Sequence, residues 1–410
     1  MKPVYLVDGK RTPQVKAGAE LKEIAAPYLG HYLIRHLVDK YALPFDQIDE
    51  VIVGNTGTPA KYPNVGRVIA LEAGLHKKTS GYSVHRNCAS GMEALSQAYD
   101  KITSGRSHLV FAGGVESMSQ MPLIYSKQMT NFFAELMKAK STAQKLKVFS
   151  SFRPHYLAPV IAIEQGLTDP FCGRNMGQTA ETLARELGIS RQEQDEFANL
   201  SHHKAAQATK EGKFRDEILP ITAGEKLDKM IADDMGFRAN STVEGLAKLK
   251  PAFAAQGVVT AGNSSQTSDG AAFVVVMSER LMKQLDLTPI GRLLHYAVAG
   301  VDPRFMGIGP VQAIPKVLQE AGKKLNDIDL IELNEAFASQ SIAVMRELSL
   351  DPQKVNINGG AIALGHPLGC TGAKLTVQLL GDLKRRNERL GMVTACVGGG
   401  QGVAGIFECL

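Results

Sequence analysis

A chain of 410 residues, 44% hydrophobic and 21% charged, is longer than one small module and has the balance of a soluble globular protein rather than a fibrous or disordered one. Its length predicts two or three domains with sizeable cores. A formal charge of only +5 excludes the whole-surface basic field of a nucleic-acid binder.

The run Val4-Tyr5-Leu6-Val7 is ended at once by Asp8, which predicts a strand rather than the longer apolar core of a signal peptide. A second strand is expected around Val51-Ile52-Val53. Arg86-Asn87-Cys88-Ala89-Ser90-Gly91 then opens an amphipathic helix whose apolar face carries Met92, Leu95, Ala98, Tyr99 and Ile102. Cys88 therefore stands near a helix N-terminus, where unpaired N–H groups favour a thiolate. A single cysteine in such a place is as readily a buried structural residue. Leu109 to Ala112 reads as the next strand.

Between residues 121 and 250 the texture changes. Ser190 followed by Glu193 is a capping box that predicts a helix start. Met129, Phe132, Phe133, Leu136 and Met137 are expected on one helical face, with Lys138, Lys140, Lys145 and Lys147 beside or after it. The segment is too long for a connection within a compact fold and is expected to be an inserted lobe.

Beyond it, three segments repeat earlier ones at an offset of about 280 residues. Ile328 to Asn334 resembles Ile48 to Asn55, Cys370-Thr371-Gly372-Ala373 resembles Cys88-Ala89-Ser90-Gly91, and Met392 to Gly399 resembles Leu109 to Gly114. Short β-branched runs alternate with helical segments in both copies, which predicts an α/β fold. The second copy is expected to begin with the strand Phe273-Val274-Val275-Val276. The implied division is an N-terminal domain over 1–270 (core 1–120 and 251–270, lobe 121–250) and a C-terminal domain over 271–410.

Three further places carry polar groups or glycines at strand ends. Asn334-Glu335 leads from a strand into a helix, His366 is bracketed by Gly365 and Pro367, and Cys396 precedes Gly398-Gly399-Gly400. The last does not open a βαβ unit and so is not a dinucleotide loop; its glycines suit close backbone approach to a ligand. The five cysteines are far apart with no Cys-x-x-Cys pair, so neither a disulfide framework nor a metal site is expected. The ending Glu408-Cys409-Leu410 is not a peroxisomal address, and a cytoplasmic protein is expected.

Taken together, these motifs resemble the thiolase family over essentially the whole chain. Arg11-Thr12-Pro13, Gly113-Gly114-Val115-Glu116-Ser117-Met118, Thr260 to Ser265 and Asp269-Gly270 belong to the same resemblance. It implies two similar βαβ-type halves in a layered αβαβα core. It also implies cleavage of 3-ketoacyl-CoA by CoA, or the reverse condensation, with CoA as substrate and no bound cofactor. By resemblance Cys88 is the acylated nucleophile, His366 takes its proton, and Cys396 is the acid/base for the enolate. His366 with a water held by Asn334 would stabilise one oxyanion, and the N–H groups of Cys88 and Gly398 the other. Arg238 would meet the adenine side of CoA, and Met176, Phe253, Ala261, Ser265 and Phe337 would line the pantetheine channel. Core packing is the competing reading for the two phenylalanines.

Asn175 stands where the family often has His, and Val15 where it often has Gly. The stretch from Lys138 to Pro159 resembles the loop of β-subunits of fatty-acid-oxidation complexes, although those have His where Asn334 stands. The expectation is therefore a 3-ketoacyl-CoA thiolase of β-oxidation, with a biosynthetic acetyl-CoA acetyltransferase as the alternative. A non-catalytic acyl-CoA or lipid-binding protein of this fold, a fatty-acid condensing enzyme and a cysteine hydrolase are the other readings. A homodimer or homotetramer is implied. Residues 127–153 hold five lysines and Arg153 against the single acid Glu135, the whole of the net charge. This segment could meet a membrane surface or a β-oxidation partner subunit, or cover the protein's own substrate tunnel.

Overall fold

The computed structural model describes residues 3–224 and 228–410. In the first half, β1 (Val4–Arg11), α1 (Ala26–Lys40), β2 (Glu50–Gly54), α2 (Val65–Glu72), β3 (Ser80–Val84), α3 (Ser90–Thr103) and β4 (Leu109–Ser117) follow one another. After the intervening segment, which contributes α4 (Met176–Glu186) and α5 (Arg191–Lys210), comes β5 (Ser268–Ser278). The second half runs β6 (Gly291–Gly300), α6 (Gly309–Ala321), β7 (Leu330–Leu333), α7 (Ala338–Glu347), α8 (Thr371–Arg386), β8 (Leu390–Val397) and β9 (Gln401–Cys409).

The strands lie in the order β7-β8-β9-β6-β1-β5-β4-β2-β3. The same pairing pattern occurs twice. β2 is parallel to β4, which is antiparallel to β5, which is antiparallel to β1. Likewise β7 is parallel to β8, β8 antiparallel to β9, and β9 antiparallel to β6. Even the irregularities match, one between Leu6 and Asp8 in β1 and one between Leu293 and His295 in β6. The halves meet where Leu6 pairs with Gly291.

This pairing corrects one expectation. Phe273 to Val276 lies in β5, between β1 and β4, and so completes the first half; β6 opens the second. A strand buried on both faces reads as a continuous apolar run whichever half it serves.

Three apolar clusters define the layers. Leu29, Leu33 and Leu37 of α1 and Ile69 of α2 cover one face of the first set of strands. Ala313, Ile314 and Val317 of α6 and Val344 of α7 cover the outer face of the second. Between the sets, Met92 and Leu95 of α3 and Leu375 and Leu379 of α8 pack on Ile52, Val110 and Val274 on one side and Val393 and Phe407 on the other. Helix α8 is buried all round from Thr371 to Leu380, as a helix between two sets of strands must be. Each such Leu contributes roughly 1.5–3 kcal/mol on burial.

The expected lobe over 121–250 divides. Residues 121–168 form a compact unit of their own, with helices Lys127–Lys138 and Thr142–Ser150. Its small core is aromatic: Phe132 meets Phe133, Phe149 and Phe152 edge-on. Met129 and Phe132 are buried there, but Met137 is 82% exposed and does not join the packed face. Residues 169–250 belong instead to the main body, where α4 packs on α7 and on the turn Pro303–Ile308. The capping box at Ser190 forms as expected, with Glu193 N–H donating to Ser190 Oγ at 3.2 Å and Ser190 N–H to Glu193 Oε2 at 2.8 Å. Among the described residues no helix is long and apolar enough to cross a membrane.

Candidate active site

Cys88 sits in a 3-10 turn, Asn87–Ala89, that runs into α3. Asn87 adopts a left-handed conformation (φ 43°). Ser90 fastens the turn, accepting from Arg86 N–H at 2.9 Å and donating to Asn87 O at 2.7 Å. The Asn87 amide donates to Gly398 O at 2.7 Å, which ties the turn to the glycine loop after β8. The Gly398 backbone N–H in turn reaches the Cys88 sulfur.

The expected thiolate is not the resting form. Cys88 is partly exposed, yet burial pushes its thiol up to about 11, and the hydrogen bond from Gly398 offsets only part of that. Desolvation outweighs the backbone hydrogen bonds to the sulfur here. Cys396, at the end of β8, is fully buried; desolvation first, and proximity to Cys88 second, hold its thiol well above the usual range.

His366 follows Gly365, whose φ of 102° and whose approach to Ser268 exclude a side chain: a Cβ there would lie 2.4 Å from Ser268 Oγ. Its own N–H donates to Gln266 O at 3.1 Å. The ring is buried, with Nδ1 2.6 Å from Thr371 Oγ1 and Nε2 3.3 Å from Asn334 Nδ2. Burial, followed by the charge of Lys374, lowers its pKa to about 4, so the imidazole is neutral at physiological pH. Asn334, at the end of β7, is fully buried and its Oδ1 has no partner. An orphan acceptor of this kind is where an ordered water binds.

The His366 loop is held from below by Glu116, which sequence reasoning saw only as part of a motif. This buried carboxylate accepts from Asn55 Nδ2 at 2.9 Å, Thr56 N–H at 3.0 Å, Thr56 Oγ1 at 2.6 Å and Gly57 N–H at 2.8 Å. It also accepts from Gly369 N–H at 2.8 Å. Five donors pin the loop after β2 to the loop after His366. Gly114 lets them approach, since a Cβ there would sit 1.8 Å from Gly369 O. Arg11 anchors a neighbouring segment, fully buried and paired with Asp234 at 2.7 and 2.8 Å and with Glu217 at 2.7 Å.

Of the six residues expected at CoA, three gather beside Cys396. Met176, Phe253 and Phe337 pack in one cluster with Cys396, the two rings edge-on at 6.1 Å. Ser265 is joined to this region through its N–H to Ala336 O at 3.0 Å. Ala261 and Arg238 are exposed. Asn175 has a role of its own: its side chain caps α4, accepting from Gln178 N–H at 2.9 Å.

The comparisons with known proteins agree with one another. The model of the thiolase N-terminal domain matches residues 4–280, and that of the thiolase C-terminal domain residues 287–409. The chain is 42% identical to the 3-ketoacyl-CoA thiolase of Bacillus subtilis (strain 168), with all of both chains covered. It superimposes on the Bacillus anthracis acetyl-CoA acetyltransferase with a TM-score of 0.91 and 40% identity, over 100% of this chain and 99% of the other. The human mitochondrial 3-ketoacyl-CoA thiolase in complex with CoA gives 0.90 and 35%, over 100% and 98%.

Proposed function

The chain belongs to the thiolase family and is an acyltransferase, and from that premise we propose that it is a degradative 3-ketoacyl-CoA thiolase that uses CoA to release acetyl-CoA from 3-ketoacyl-CoA. The observation that carries the degradative reading is full-length similarity to a relative of that name. The long segment from Lys138 to Pro159 supports it.

The chemistry follows from the resting protonation states. Cys88 is a neutral thiol and His366 a neutral imidazole. As the sulfur attacks the 3-keto carbon, His366 takes its proton. The carbon–carbon bond between the keto carbon and the α-carbon then breaks. The acyl group stays on Cys88, and the acetyl-CoA enolate takes a proton from Cys396, a thiol suited to donation because burial keeps it protonated. The Cys396 thiolate then accepts the proton of incoming CoA, whose sulfur displaces the acyl group, and His366 returns its proton to Cys88. His366 with a water on Asn334 serves the enolate oxygen, and the Cys88 and Gly398 N–H groups the acyl oxygen. Removing one such donor typically costs about 100- to 1,000-fold. Arg238, Met176, Phe253, Ala261, Ser265 and Phe337 are proposed to hold CoA, and the working form to be a homodimer or homotetramer.

A biosynthetic acetyl-CoA acetyltransferase is the second reading, favoured by the similarity to the B. anthracis structure. Turnover of acetoacetyl-CoA against a long-chain 3-ketoacyl-CoA separates them. The degradative reading expects the long chain to have the higher kcat/KM; activity on acetoacetyl-CoA alone would replace it with the second. The 121–168 unit also exposes Leu123, Tyr125, Met137, Leu146 and Phe149 beside its lysines, which supports association with an anionic membrane surface. Replacing Lys138, Lys140, Lys145 and Lys147 with Glu should abolish co-sedimentation with anionic liposomes. Wild type left in the supernatant contradicts the idea.

A further inference from the structure

We propose that Thr371 is the positioning residue that fixes the tautomer of His366, holding the proton on Nδ1 so that Nε2 faces the reacting groups as an acceptor. The inference rests on His366 as the base for Cys88. Three contacts carry it. Thr371 Oγ1 lies 2.6 Å from His366 Nδ1 and 3.1 Å from Pro367 O. A hydroxyl has one proton; given to the carbonyl, it leaves the oxygen to accept from Nδ1–H. On the opposite side of the ring, Asn334 Nδ2 is 3.3 Å from Nε2 and only donates. Both neighbours therefore favour one tautomer, and the other would set two donors against each other.

The partner is a hydroxyl where many catalytic histidines have a carboxylate. It orients the ring without adding a negative charge that would stabilise imidazolium. The base thus stays neutral at rest and takes a proton only when Cys88 supplies one. A purely structural role for the hydroxyl is poorly supported by the same geometry. Pro367 O also accepts from Cys370 N–H at 2.9 Å and from Thr371 N–H at 3.1 Å, so it keeps partners when the hydroxyl is removed.

The test combines kinetics with a direct reading of the ring. Thr371→Val, close in shape, should slow acetylation of Cys88 by acetyl-CoA by about 10- to 100-fold, part of the ~10²–10⁴ that a general base supplies, with KM within about twofold. Thr371→Ser, which keeps the hydroxyl, should restore the rate. In histidine-labelled wild type, the ¹⁵N signals lost in His366→Gln should show Nδ1 protonated and Nε2 unprotonated at neutral pH, and Thr371→Val should mix the two tautomers. A wild-type ring protonated at Nε2, or a valine variant with wild-type rate and tautomer, overturns the proposal. If the valine variant does not fold, the wild-type spectrum decides alone. Should His366→Gln acetylate at the wild-type rate, His366 as base fails, while the tautomer reading is judged on the spectrum.

Discussion

Cys88 and Cys370 stand at corresponding helix entrances in the two halves, Cys88 in the turn just before α3 and Cys370 as the N-cap of α8. Their surroundings differ. Cys370 is fully buried against Ala272 and Ala373, and its thiol is pushed up to about 12. Cys88 keeps part of its surface open and faces the Gly398 N–H. One site packs; the other is the proposed nucleophile. The contrast teaches that a helix entrance alone does not lower a thiol's pKa, and that the two differ in access and in the donor facing the sulfur.

Breaking the reactive side should have the largest effect. Cys88→Ala should lower kcat by more than ~10⁴-fold while leaving the fold intact, since the proposed nucleophile is gone. Steady-state turnover with a circular dichroism control checks this. His366→Gln should cost about 10²–10⁴-fold in kcat, measured as the rate of Cys88 acetylation. The support shared by the halves is the next target. Glu116→Gln places an amide NH₂ either against the backbone N–H of Gly57, at one oxygen's position, or against those of Thr56 and Gly369, at the other's. A loss of about 2–4 kcal/mol in urea unfolding is expected, with reduced activity because the His366 loop loosens.

The pH dependence of the thiol sharpens the same contrast. With its pKa raised to about 11, Cys88 gains thiolate with each unit of pH up to that value. Its alkylation by iodoacetamide should still be rising at about pH 10, where an ordinary thiol of pKa about 8.5 has levelled off. Mass-resolved alkylation rates read this directly. The smallest effect belongs to the silent partner. Cys370→Ala should cost about 1 kcal/mol of stability, as the loss of one buried atom does, with acetylation kept.

Much of the fold was legible because the repeats share an offset: β2 with β7, α3 with α8, and β4 with β8. The end of the first half was not, since Val274 to Val276 are apolar whichever strands flank them. At the site, Cys88, Asn334, His366 and Cys396 stood out through their glycine and proline surroundings at strand ends, and the structure brings Asn334 against His366 and Cys88 near Cys396. Thr371 was hidden because a threonine opening a helix reads as an ordinary cap. Glu116 was hidden because its partner Gly369 lies in the other half, far along the chain. The basic run 127–153, which carries +5, was legible as a local feature, and it falls within the 121–168 unit, where Glu164 brings the balance to +4.

The most direct measurement is the intact mass of the protein after mixing with acetyl-CoA, in wild type, Cys88→Ala and Cys370→Ala. One acetyl adduct is predicted in wild type and in Cys370→Ala, localised to Cys88, and none in Cys88→Ala. An adduct that survives in Cys88→Ala, or its absence from folded wild type, would contradict Cys88 as the residue that carries the acyl group.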